Sequence, residues 1–114
     1  MITLLKGDDT GFNDGGSLRV SMDMPHGIDD CLAEFELCGI TKRILDIDEH
    51  GFGLVFSGEE TERLPIGIAH GTLRLFDTQS QRCTFSNTIQ VRITDQPRLA
   101  YQEEIEVSLE WERA

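Results

Sequence analysis

The strongest constraint on this chain is a polar–apolar alternation with a period of two that recurs along its length. "SLRVSM" puts Leu18, Val20 and Met22 on one side. "CLAEFEL" puts Cys31, Ala33, Phe35 and Leu37 on one side, with Glu34 and Glu36 opposite. The same rhythm groups Phe52, Leu54 and Phe56 in "GFGLVF", Leu73 and Leu75 in "TLRLF", and Ile89, Val91 and Ile93 in "TIQVRIT". It returns in "EIEVSLEWE", with Ile105, Val107, Leu109 and Trp111 together. Successive side chains of a strand point to opposite faces, so each stretch has one face to bury and one to leave in water. "KRILDI" is less decided, with apolar residues on both sides, and the short "ITLLK" reads as an edge strand.

Turn-forming groups separate these runs. "FNDGGS", "MPHGIDD" and "DEHGFG" carry Gly, Pro, Asn and Asp, and "DTQSQR" is a polar hairpin loop without glycine. Half-buried strands at this spacing predict an all-β chain, an immunoglobulin-like antiparallel β-sandwich of about seven or eight strands. The length of 114 residues fits a single domain over residues 1–114.

"SGEETERL" at 57–64 is the exception. Ser57 followed by Glu60 has the spacing of a capping box, and its glutamates sit where a helix dipole favours them. Pro65 stops the helix, because the residue before a proline avoids the α region. The stretch therefore predicts a short helical turn crossing between two sheets, with Leu64 plugging the core. Gly67 then permits a backbone reversal, and Gly71 a bend or bulge as the next strand begins.

The chain has 10 basic and 21 acidic residues, a formal charge of −11. Such a surface repels phosphate backbones and anionic lipid, which disfavours nucleic-acid and membrane partners. No apolar run approaches the length of a membrane helix, and "MITLLKGDDTG" lacks the pattern of a signal peptide. Three cysteines, Cys31, Cys38 and Cys83, leave an odd count. Cys31 and Cys38 would lie about 23 Å apart along an extended strand and cannot bridge within it. Reduced thiols fit synthesis in the cytoplasm.

Candidate chemistry is sparse. "DIDEHG" places Asp46, Asp48 and Gly51 at the first, third and sixth positions of a calcium loop, but the twelfth is Ser57 and the flanks read as strands. A polar hairpin turn is the better reading. The acidic pairs Asp8-Asp9, Asp29-Asp30 and Glu59-Glu60 point apart if extended, and a cation site would need two of them to meet at one end of the fold. His26, His50 and His70 each adjoin a glycine, and no two have metal-ligand spacing. Nucleophile elbows, phosphate loops and dinucleotide fingerprints are missing. The expectation is therefore a non-enzymatic chain with no cofactor. Its most suggestive surface is the C-terminal strand within 101–114. Ile105, Val107, Leu109 and Trp111 form an apolar face, flanked by Glu104, Glu106, Glu110 and Glu112. That face packs on its own core or serves as a protein interface anchored by the lone Trp.

Three stretches, "LLKGDDTGFNDGGSLRVSM", "GLVFSGEETERLPIGIAHGTLRLFD" and "NTIQVRITD", resemble the N-terminal β-sandwich modules of phage and prophage tail and baseplate proteins. The likeness runs over roughly residues 3–95 and brings no catalytic residue with it. After Pro97 the chain departs from it with "RLAYQEEIEVSLEWERA". The resemblance implies a structural, protein-binding component, virion-associated, working as a homo-oligomer or against neighbouring tail proteins. The alternative is a small-ligand module for calcium or carbohydrate. A single Trp and a single Tyr leave little aromatic platform for a sugar.

Overall fold

The computed structural model describes residues 2–8, 18–25, 31–96, 104–106 and 112–113. The chain is mostly β. Its elements run β1 (Ile2–Leu5), β2 (Leu18–Ser21), β3 (Cys31–Leu37), β4 (Ile40–Ile44), β5 (Ile47–Asp48), β6 (Gly51–Leu54), α1 (Gly58–Glu62), β7 (Gly67–Asp77), β8 (Cys83–Thr94), β9 (Glu104–Glu106) and β10 (Glu112–Arg113). A six-stranded sheet has the order β1-β8-β7-β3-β4, with β10 also paired to β8. A four-stranded sheet has the order β5-β6-β2-β9.

The alternation predicted the inward residues. Leu18, Val20, Met22, Ala33, Phe35, Leu37, Phe52, Leu54, Phe56, Leu73, Leu75, Ile89, Val91 and Ile93 all lie in one buried cluster fed by both sheets. At its centre the Phe35 ring meets Phe56 edge-on, with centroids 6.3 Å apart, and Phe52 at 6.2 Å. Phe35 belongs to the larger sheet and Phe52 to the smaller, so this contact joins the layers.

The strand pattern departs from expectation in three places. The pairing is not wholly antiparallel: β1 runs parallel to β8, and β2 parallel to β9. The ambiguous "KRILDI" is two strands rather than one. Its chain leaves the large sheet after Ile44 and joins the small one at Ile47, which puts apolar residues on both sides of the corner. The C-terminal stretch is also split, with β9 in the small sheet and β10 in the large one. These two divisions bring the strands among the described residues to ten.

The crossing from β6 to β7 forms as its sequence predicts. Ser57 accepts from the Glu60 amide at 3.2 Å, and Glu60 accepts from the Ser57 amide at 3.0 Å, completing the capping box. At the other end Lys6, just past β1, donates to the carbonyls of Glu62 and Leu64, which the helix itself leaves unsatisfied. Thr61 is buried and its hydroxyl donates to Asp8 O at 2.7 Å, tying the helix to the turn that follows the first strand. Leu64 is fully buried, as expected of a core plug.

Gly67 has φ of +133°, the reversal its position calls for. Gly71 has a different role from the predicted bend. A Cβ there would stand 2.2 Å from Phe35 Cζ, so its missing side chain is space that the phenyl ring occupies. The irregularity in the β7–β8 ladder lies instead between Leu75 and Phe76.

Candidate functional site

The described titratable groups of "DIDEHG" and the Glu60 carboxylate are engaged with neighbouring groups. Asp48 Oδ1 lies 2.7 Å from Arg19 Nη2 and accepts the His50 amide at 2.8 Å; Asp46 lies 3.7 Å from Arg19. The "DIDEHG" stretch is thus the tip of the β5–β6 hairpin, where Arg19 of β2 already supplies the positive charge a cation would bring. The His50 amide, then Arg19, holds the Asp48 carboxyl below its ordinary value. Asp77 organises the β7–β8 turn by accepting the Gln79 amide and the Ser80 hydroxyl, which lower its carboxyl in that order. Among the described residues no three His, Cys, Asp or Glu side chains gather as metal ligands would.

Lys42 and Glu60 form a half-buried pair with Nζ and Oε1 2.7 Å apart. Burial would raise the Glu60 carboxyl, but the Lys42 ammonium and the Ser57 amide outweigh it and hold the group below its usual range. Lys42 shares the inner face of β4 with Ile40 and Ile44, and its ammonium stands 5.9 Å from the Phe56 ring centroid. A charge turned inward on an edge strand makes that edge a poor template for a further strand. Arg74 and Glu36 pair at 3.0 Å on the outer face of the large sheet.

What is not accounted for is apolar surface. Leu45 is 83% exposed and Val55 48%; they line one cleft of about 380 Å³ with Arg43, Asp46 and Gly53 at the corner between the sheets. Leu32, also exposed, stands opposite Phe76 on the outer face, where Glu34 and Arg43 complete a cleft of about 370 Å³. Ile66 and Ile68, 60% and 55% exposed, flank Gly67 where β7 begins. Sequence pattern placed no interface on any of these. Leu45 and Val55 break the alternation of their own stretches, which was the available signal.

Of the expected interface residues, Ile105 lies in β9 with its backbone opposite Val20. Val107, Leu109 and Trp111 fall outside the described residues, as do His26, Asp9 and the pair Asp29-Asp30. Cys31, Cys38 and Cys83 form no disulfide, and Cys38 is exposed in the β3–β4 turn. Among the described residues no helix is long and apolar enough to cross a membrane. Compared with known proteins, the chain matches no family model and no curated sequence.

Proposed function

We propose that this protein is a non-enzymatic structural domain that acts by binding other protein chains, similar to a phage-derived tail or baseplate component. One observation carries the reading: large apolar side chains stand exposed in pairs at the corner between the sheets and where β7 begins. Leu45 with Val55, and Ile66 with Ile68, are paired rather than scattered, and paired exposure is what marks contact surfaces. The finer architecture we propose is an immunoglobulin-like β-sandwich, supported by two sheets feeding a common core. Its partners would be a second copy or neighbouring virion proteins. Ile105, Val107, Leu109 and Trp111 remain proposed contributors to the contact.

The test is coexpression with the products of the genes that flank its own, read by light scattering of the purified species. A stoichiometric complex that Leu45→Glu weakens supports the proposal. A chain that stays monomeric alone and beside every such product overturns it.

A further inference from the structure

The corner where the chain passes from the large sheet to the small one carries charge of the opposite sign to the molecule as a whole. The chain has 10 basic and 21 acidic residues. The cleft that holds Leu45 and Val55 is nevertheless lined by two cations, Lys42 and Arg43, against one carboxylate, Asp46. Two of these three charges are already committed. Lys42 Nζ lies 2.7 Å from Glu60 Oε1, and Asp46 lies 3.7 Å from Arg19. Arg43 is exposed, and among the described residues no carboxylate forms an ion pair with it. Glu34 stands opposite it in the β3–β4 ladder without pairing, and lines the outer cleft rather than this one. Leu45 and Val55 reach the corner from two directions, one just after β4 and the other just after β6. An apolar centre, an uncommitted arginine and a rim of satisfied ion pairs are the parts of a protein-contact surface.

We propose that this corner cleft binds a segment of a partner protein in which an aspartate or glutamate is flanked by large apolar side chains. The proposal rests on the protein-binding reading above and names the chemistry of the partner. The apolar flanks cover Leu45 and Val55. The carboxylate pairs with Arg43, whose planar guanidinium can take both of its oxygens. Charge rejects the other occupants. A second copy of this chain brings a further −11. A lysine-rich segment is drawn to the acidic surface at large, but at this cleft it meets Lys42 and Arg43. A strand added to the edge of β4 must run beside Lys42, whose charge is turned inward. The occupant therefore engages through side chains rather than a backbone ladder. Repulsion from more distant carboxylates is screened beyond about 8 Å at physiological salt, so the contact at Arg43 decides the sign.

The probe is a yeast-displayed library of random dodecapeptides, sorted for binding to the fluorescently labelled full-length chain. The expected winners place Asp or Glu beside Leu, Ile, Phe or Trp. The strongest of them, made as a synthetic peptide, should lose roughly tenfold or more in affinity on Arg43→Glu and on Leu45→Lys. Arg82→Glu makes the same change of charge at an exposed position outside the cleft and should leave the affinity unchanged. Replacing the peptide's acidic residue by lysine should abolish binding to the unaltered chain and restore it to the Arg43→Glu variant, which a long-range or merely structural effect would not do. Both cleft substitutions change exposed side chains, so the melting temperature should hold and the loss reads as lost contact. Winners rich in Lys or Arg, or indifferent to Arg43→Glu and Leu45→Lys, overturn the inference yet leave the protein-binding reading standing with its contact elsewhere. A library from which nothing is enriched also overturns it, and the coexpression experiment then decides the protein-binding reading by itself.

Discussion

Replacing Gly71 by alanine tests the packing at the centre of the fold. The added Cβ would lie 2.2 Å from Phe35 Cζ and 2.9 Å from Cε1 and Cε2. Ordinary contact begins near 3.4 Å, so the ring tip must retreat by about 1.2 Å, the difference between the two separations. It has no free space to move into: Phe35 is fully buried and touches Phe52 and Phe56. Overpacking of this kind costs about 1–3 kcal/mol, and a displaced aromatic belongs at the upper end. Against it stands a gain of about 0.4–1 kcal/mol, because alanine restricts the unfolded chain. The net expectation is a loss of about 2 kcal/mol. Urea unfolding followed by tryptophan fluorescence or far-UV dichroism should show the midpoint falling by about 1 M, given a slope near 2 kcal/mol/M for a chain of this size. Phe35→Leu should cost stability alone but relieve the alanine, so the double variant should be more stable than the sum of the single losses implies. A neutral or stabilising Gly71→Ala, or strict additivity with Phe35→Leu, would refute the placement of the ring over Gly71.

Lys42→Met keeps the stem over Phe56 and removes the charge opposite Glu60, which should cost about 0.5–1 kcal/mol at neutral pH because both groups keep some access to water. Glu60 is held below its ordinary value of 4.5, so the pair's contribution is complete above that pH and is lost as pH falls through the folded value. Melting temperatures of the two proteins should therefore differ at pH 7 and converge toward pH 3; a constant gap would argue against the pair. Ser57→Ala removes half of the capping box and should lower stability by about 1 kcal/mol in thermal or urea unfolding, with no change in strand content. Calcium titration by calorimetry should give no heat at the β5–β6 hairpin, because Arg19 already occupies the Asp46–Asp48 side of that turn; a saturable signal abolished by Asp48→Asn would reverse that view.

Only part of the surface that carries these proposals is visible in the linear pattern. The face of "EIEVSLEWE" reads as an interface because an amphipathic strand has the same pattern whether it covers its own core or a partner's. Its described portions join two different sheets, at Val20 and at Phe85–Ser86, and no local periodicity encodes that division. Leu45 reads as one more apolar position until the chain is seen to change sheets beside it.

The sequence by itself determined most of the strands, their inward faces, the capped turn at Ser57 and the stop at Pro65. All of these follow from side-chain alternation and hydrogen bonds spanning a few residues. Tertiary structure alone decided which strands pair, that two ladders run parallel and why Gly71 must be glycine. Those outcomes depend on residues far apart in the chain, such as Phe35 against Gly71. A strand's own pattern specifies which side it buries, but its inter-strand hydrogen-bonding groups are the same in every residue but proline.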